Sequence, residues 1–187
     1  MSISTEEAAQ ALASVKEAMG RARLAQSYEV ASVMTLLWGG IWMVCYGAGW
    51  LVSRELAGAL WTGLVPIGGV LTGLWCVRVK RRHGEGQTAA RIGEMALALW
   101  LFGFLLLHLV RPLSYVQISA YWTLVSMLGY VLLGIAYVRF YLWLGIGVTL
   151  LMLAIYSWAG PWFDAGMTLG CGGTLVLAGG WLKWKTR

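Results

Sequence analysis

Long stretches without a charged residue dominate this sequence. Uncharged runs cover residues 30–53, 56–77, 112–138, 140–163 and 165–182, and a further apolar stretch, interrupted by Glu94, covers 92–110. About 20 apolar residues in an α-helix cross the hydrocarbon core of a bilayer, which is roughly 30 Å thick. The sequence therefore predicts an all-α, polytopic membrane protein. Its six transmembrane helices are expected at about 30–52, 57–77, 92–110, 116–138, 141–158 and 165–182.

Composition excludes the main alternative, a soluble helical bundle with a large core. The chain of 187 residues is 59% hydrophobic and 12% charged. Soluble domains contain about 25% charged residues and about 45–50% apolar ones. So few polar side chains cannot cover the surface of a soluble protein, and lipid is the solvent that fits this chain.

The positions of the basic residues predict the orientation in the membrane. Twelve of the fourteen Lys and Arg residues precede the first predicted span, follow the last one, or lie in the loops after spans two and four. Only Arg54 and Arg111 lie in the other loops. Basic residues accumulate on the cytoplasmic side, so both termini are expected in the cytoplasm of a protein of the cell membrane. The densest group is Arg78, Lys80, Arg81 and Arg82.

This basic group is interpreted as a topology determinant that also contacts anionic lipid head groups. The net charge of +6 is thereby explained without a nucleic-acid partner.

A repeated pattern predicts three tandem helical hairpins. The segment 61–78 recurs as 122–139 with eight identical residues of eighteen. Each odd-numbered span also contains a Leu-Trp pair, and each even-numbered span contains Val-Leu-x-Gly. The resulting layout of six spans is similar to that of small bacterial membrane proteins of the acid-resistance HdeD type, over roughly residues 30–185. This similarity rests on size and span count, and it implies a shared architecture only.

Two other features predict contacts with partners. Gly69–Gly73 in span two and Gly166–Gly170 in span six have the GxxxG spacing that lets membrane helices approach closely, within one chain or in a homo-oligomer. Residues 1–29 are polar and rich in alanine, and they form a predicted cytoplasmic helix with a weak apolar stripe that includes Leu12, Val15 and Met19. This helix is expected to pack on the inner face of the bundle, or else to dock a partner protein or another copy.

Four residues are candidates for a functional site. Glu94 is the one acidic residue within a predicted span, and it is either an ion partner of Arg91 or a proton-carrying or ion-binding carboxylate. His108 and Arg111 lie one turn apart and could bind an anion or a lipid head group, or simply be hydrated. Pro66 lies among glycines and could interrupt span two, as helices do at some transporter sites, or could be a structural kink.

Other residue patterns favour no enzymatic chemistry. Asp164 is expected to be a helix N-cap. The cysteines Cys45, Cys76 and Cys171 lack metal-ligand spacing, and no HExxH, GxSxG or P-loop motif is present. The sequence therefore predicts no cofactor and no metal site, and it favours a non-enzymatic protein.

Three functions remain open from the sequence. The first is a structural or regulatory membrane protein that contacts a partner through residues 1–29. The second is a small oligomeric transporter or channel for a small solute or ion that uses Pro66 with Glu94 or with His108 and Arg111. The third is a membrane-embedded enzyme that acts on a lipid or quinone.

Overall fold

The computed structural model describes residues 5–83 and 86–185, apart from the side chains of residues 5–9, 18, 21–27, 29, 80–83 and 86–92. The described part folds into α1 (Thr5–Leu51), α2 (Arg54–His83), α3 (Gly86–Val110), α4 (Tyr115–Ala136), α5 (Arg139–Trp158) and a final irregular span that ends in α7 (Gly173–Lys185). Six helical segments are long and apolar enough to cross a membrane. Successive helices form three hairpins, so the predicted all-α, six-span fold is confirmed.

Helix α1 is much longer than a membrane span. It contains 47 residues, of which Val30–Leu51 form the apolar part. At 1.5 Å per residue, the preceding residues 5–29 extend the helix by about 37 Å. We call this extension the arm. The boundary predicted between residues 1–29 and 30–185 therefore falls inside one continuous helix.

The arm does not pack on the bundle through its described side chains. Residues 10–17, 19 and 20 are all exposed, and these include Leu12, Val15 and Met19. The prediction that the arm packs on the inner face of the bundle is therefore wrong for these residues. The physical reason is that α1 has no break at which the arm could turn back.

Short polar segments fix where α2 and α4 begin. The backbone N–H of Leu56 donates to Ser53 Oγ over 3.1 Å, so α2 starts at Arg54 rather than near residue 57. At α4, the N–H of Gln117 donates to Ser114 Oγ while the N–H of Ser114 donates to Gln117 Oε1. This reciprocal capping box makes Tyr115 the first residue of α4.

The distribution of side chains is that of a protein solvated by lipid. Large apolar residues such as Leu97, Leu109 and Leu177 are exposed along the spans. The buried interior, in contrast, contains polar side chains, namely Ser32, Thr35, Ser119, Thr123, Asp164 and Thr168. Polar groups avoid hydrocarbon and find partners inside the bundle, which explains this arrangement.

The closest packing is between α1 and the sixth span, Gly160–Lys185. A Cβ atom placed on Gly39 would lie 2.9 Å from Leu175 Cβ, and one on Gly172 would lie 2.8 Å from Met43 Cγ. Glycine is needed at these positions because the two helix backbones leave no room for a side chain. In both spans, 44% of the most apolar window is buried.

The glycines of span two have a different environment. Only 6% of the most apolar window of α2 is buried, and a Cβ on Gly69 or Gly73 would meet no described atom within 4 Å. Of the two alternatives left open by the sequence, packing within the chain therefore does not hold for Gly69 and Gly73, whereas Gly166 and Gly170 do contact Ile155. A GxxxG pattern indicates that close approach is sterically allowed, but not which helix takes advantage of it. An interface between copies at α2 stays a prediction.

We predict that Gly179→Ala destabilises the bundle by about 1–3 kcal/mol, because overpacking a tight interface forces backbone shifts. The new Cβ would lie 2.8 Å from Leu36 Cγ and 2.9 Å from the Leu36 nitrogen. Gly180→Ala is the matched control, since its Cβ would meet no described atom within 4 Å. Thermal unfolding in detergent measures both variants. Equal melting temperatures for the two would contradict the packing described here.

Candidate functional site

All six spans have one end at the same side of the bundle, which we call the Arg54 end. Helix α1 ends there at Leu51, α2 begins at Arg54, α4 begins at Tyr115, and the sixth span begins at Gly160. The N-terminal ends of three helices carry partial positive charge, because their first N–H groups lack partners within the helix. The C-terminal ends of α1, α3 and α5 lie at the same end with the opposite partial charge, so these partial charges largely cancel, and a negatively charged group there needs a cationic partner.

Asp164 supplies that negative charge. It is the only aspartate in the sequence, and it belongs to the short helix α6, Phe163–Gly166. The N-cap of α6 is Trp162, and no side chain caps this helix, so the predicted N-cap role of Asp164 is wrong. The carboxylate is instead buried, with 3% of the residue exposed. A buried carboxylate within a membrane span is costly and commonly functional.

Arg54 balances the charge of Asp164. Its Nε–H donates to Asp164 Oδ2 over 3.2 Å, and its side chain is half exposed. The guanidinium carbon also lies 5.0 Å from the centre of the Tyr115 ring, in cation–π geometry. We refer to Arg54, Tyr115 and Asp164 as the Arg54 cluster. Since only Asp164 is fully buried, the arginine can exchange this partner for water or a lipid head group without crossing the bundle.

Two polar atoms of the cluster lack partners. Asp164 Oδ1 and the Tyr115 hydroxyl are buried, and neither forms a hydrogen bond with any described group. They face each other beside Gly49, where a Cβ would lie 3.4 Å from both Asp164 Cγ and Tyr115 Oη. Buried polar atoms are nearly always hydrogen-bonded in folded proteins. A small shift that lets the Tyr115 hydroxyl donate to Asp164 Oδ1 would complete the pair, and so would a proton, a water molecule or a small ligand placed between them.

The backbone around Asp164 is irregular. A 3₁₀ turn at Gly160–Trp162 precedes α6, and a π-helical segment at Met167–Gly172 follows it. Thr168 Oγ1 donates to the Asp164 carbonyl over 2.7 Å and anchors the start of the π segment. Short π segments inside α-helices are frequent at functional sites. The carboxylate thus lies in a part of the span where the regular α-helical hydrogen-bond pattern is interrupted on both sides.

The site residues predicted from the sequence lie elsewhere. Glu94, His108 and Arg111 are exposed, and Pro66 is exposed within α2, which continues through it without a break. Within the described part of the chain, none of the four forms a hydrogen bond or ion pair with the Arg54 cluster. Their functional roles stay predictions.

The basic group after span two is only partly described. Arg78 is exposed at its place on α2. The side chains of Lys80, Arg81 and Arg82, and of the expected Glu94 partner Arg91, lie outside the described residues. Contact of this group with lipid head groups stays a prediction as well.

An apolar groove and a metal centre are the two other kinds of site to compare with the Arg54 cluster. A groove of about 390 Å³ between α4 and α5 is lined by apolar side chains and Thr149, whose hydroxyl donates to the Gly145 carbonyl. It offers room for an acyl chain but holds no charged group. Among residues 5–83 and 86–185, no three His, Cys, Asp or Glu side chains come together as a metal site would require.

Sequence reasoning missed the Arg54 cluster because it placed Arg54 and Asp164 just outside their spans. Both belong to helices, since α2 begins at Arg54 and the sixth span begins before Asp164. One signal was present in the sequence. The only aspartate stands directly before the glycine-rich stretch 166–173, where close packing was already expected.

We predict that Arg54 and Asp164 are energetically coupled by about 1–2 kcal/mol, a value reduced from that of a fully buried pair because Arg54 is half exposed. A double-mutant cycle with Arg54→Gln, Asp164→Asn and the double variant measures this coupling from unfolding free energies in detergent. The losses of unfolding free energy in the two single variants should add up to more than the loss in the double variant, and the difference is the coupling energy. Strictly additive effects would show that the pair contributes nothing to stability.

Comparisons with protein-family models, with curated proteins and with solved structures find no match to this chain. The architectural similarity to HdeD-type proteins therefore gains no support from a family model. Any assignment of function rests on the residues of the site itself.

Proposed function

We propose that this integral membrane protein moves a small cation across the membrane and that the Asp164 carboxylate binds it. The observation that carries the proposal is a buried carboxylate with one oxygen paired to Arg54 and the other without a partner. Ionisable groups inside membrane bundles are costly, and they mark ion or proton pathways more often than they stabilise the fold. Of the functions open from the sequence, a small transporter or channel agrees best with this geometry.

The surroundings of Asp164 would allow its carboxylate to exchange Arg54 for the transported cation. Oδ1 is free to receive a cation while Oδ2 still contacts Arg54 Nε. Arrival of a positive charge weakens the ion pair, because the guanidinium and the cation repel each other. Arg54 is half exposed and can then move toward water at the membrane surface. The cost of separating the pair is thus offset by hydration of the arginine.

The irregular sixth span supports a conformational response to binding. Transport sites are commonly formed where a helix is interrupted near the binding residue. Asp164 is followed directly by the π segment Met167–Gly172, which contacts α1 and α5. A change in the hydrogen-bond register of that segment would transmit binding at Asp164 to both helices. In the orientation expected from the basic residues, the Arg54 end faces away from the cytoplasm.

We predict that Asp164→Asn abolishes cation-driven current in proteoliposomes on a solid-supported membrane, with proton, sodium and potassium gradients applied in turn. The amide keeps the shape of the carboxylate but cannot carry its charge. Glu55→Gln is the control, because Glu55 is an exposed carboxylate in the next position after Arg54. The proposal fails if the wild-type protein gives no current above empty liposomes, or if Asp164→Asn carries the same current.

A second candidate function is regulatory, and the arm favours it. The arm continues α1 as a rigid helix, and Leu12, Val15 and Met19 expose between 53% and 58% of their surface on it. These residues are spaced three and four apart and so lie on one face. Apolar residues exposed together outside the span suit a groove on a partner protein.

The regulatory candidate predicts a contact confined to one face of the arm. A photo-reactive amino acid placed at Val15 should form a discrete adduct in intact cells, whereas the same probe at Ala13 on another face should not. Leu12→Ser combined with Met19→Ser should remove the adduct at Val15. Equal labelling from Val15 and Ala13, or none from either, would count against a docking face.

A further inference from the structure

A row of hydroxyl groups leads from the Arg54 cluster into the bundle. Tyr115, Ser119 and Thr123 are four residues apart on α4, so they lie on one face over successive turns. Ser119 is 8% exposed and Thr123 is 1% exposed. Tyr115 faces both Asp164 and Ser119. Polar side chains therefore continue inward from the carboxylate along the buried face of α4.

Helix α1 adds a fourth hydroxyl to this row. Tyr46 is buried in the same cluster as Ala120 and Met127 of α4, next to the face of α4 that carries Ser119 and Thr123. Its ring is held edge-on against Trp42, Trp61 and Phe163, with ring centres 5.2–6.4 Å apart. This aromatic packing fixes the tyrosine, so it stays beside that face of α4. We call Tyr115, Ser119, Tyr46 and Thr123 the first hydroxyl row.

A second set of hydroxyl groups lies deeper along the same helices. Thr35 of α1 is fully buried, and its Oγ1 forms no hydrogen bond with any described group. Tyr130 on α4 and Tyr141 on α5 pack edge-on with ring centres 5.3 Å apart, and both lie close to Thr35. We call these three residues the second hydroxyl group. A threonine hydroxyl without a partner, close to two tyrosines, is a place that a water molecule suits.

An apolar layer separates the two sets. Thr123 and Tyr130 are seven residues apart, which is about 10 Å along α4. Met127 and Trp42 lie in that interval of their helices and are buried, at 1% and 4% exposed. Methionine offers only a weak acceptor to a hydrogen-bonded chain, and the indole of tryptophan only a donor. These two side chains would therefore interrupt a chain of hydrogen bonds through the bundle.

We propose that the cation carried by this protein is the proton. In this proposal Asp164 is its binding site, the first hydroxyl row and the second hydroxyl group are two half-paths, and Trp42 and Met127 form the gate between them. The inference rests on the proposed function of Asp164 in cation transport. Hydronium at the membrane surface loses one O–H bond and becomes water, while its proton forms a new O–H bond at Asp164 Oδ1. Each hydroxyl in turn accepts one proton and releases another, Thr123 after its O–H turns away from the Ser119 carbonyl, so that one proton advances and no electron moves.

The groups around Asp164 favour a proton over a metal cation. Arg54 from α2 contacts the carboxylate, and Tyr115 from α4 and Gly49 from α1, which has no side chain, lie beside it. A hard metal cation requires about six oxygen ligands around it. The cluster provides one carboxylate and one hydroxyl, together with a guanidinium that repels metal ions. A proton needs only a single oxygen at each step.

The test measures proton and metal-ion flux in parallel in proteoliposomes. An internal pH-sensitive dye reports proton entry when a potassium gradient with valinomycin sets the membrane potential, and a sodium-sensitive dye reports sodium entry in matched vesicles. We expect wild-type proton flux and no flux for Asp164→Asn. Tyr46→Phe keeps the ring and removes the hydroxyl, and it should lower proton flux by on the order of 100-fold. Tyr156→Phe, an exposed position on α5, is the control and should conduct as wild type.

The gate is tested separately. Met127→Ser adds a hydroxyl to the apolar layer and should raise proton flux, provided that thermal unfolding shows an intact fold. Proton flux that Tyr46→Phe leaves unchanged would overturn the hydroxyl path. Asp164-dependent sodium flux without proton flux would overturn the inference but leave the proposed function standing. The absence of any Asp164-dependent flux would remove both.

Discussion

The close approach of α1 to the sixth span is the contact on which the rest of this structure depends. Gly39 and Gly172 let the two backbones meet along most of the membrane-spanning length. Because lipid provides no hydrophobic force between helices, such contacts derive their energy from dispersion over closely fitted surfaces. The same approach places Gly49 against Asp164, and so the packing that stabilises the bundle also builds the carboxylate site. Helices α2 and α3 are more peripheral and add Arg54 at the rim.

Six polar side chains of the described residues are buried among the apolar residues of the bundle interior, and burying them has a physical cost. The hydroxyl of a buried Ser or Thr can form its hydrogen bond within its own helix, by donating to a backbone carbonyl one turn back. Thr123 donates to the Ser119 carbonyl in this way, and Thr168 donates to the Asp164 carbonyl. A carboxylate has no such local solution and needs a donor from another helix. The Arg54 side chain supplies one from 110 residues away in the chain. The sixth span thus depends on α2 for charge balance, although α1 provides most of its packing.

Much of the fold follows from the sequence, because span length and the absence of charge are local properties. The predicted ends at Val110 and Trp158 agree with α3 and α5, where Pro112 and Pro161 follow closely. Which spans pack together depends on residues far apart in the sequence. Spans composed largely of Leu, Val, Gly and Trp are also too alike for the sequence to show which helices are partners. Gly73 and Gly170 both belong to GxxxG patterns, yet only Gly170 has a neighbouring helix against it. The Arg54 cluster escaped prediction for the same reason, since its members come from three hairpins.

Helix α1 joins the arm to the carboxylate site without an intervening hinge. Gly49 touches Asp164 near one end of this helix, and Leu12 lies on the arm near the other. A tilt of this helix about its glycine contact with the sixth span would therefore move both of its ends. A tilt of about 5° around that point displaces the tip of an arm that extends about 37 Å by at least about 3 Å. The same tilt would shift Gly49 against Asp164, so the position of the arm and the environment of the carboxylate are joined through one helix.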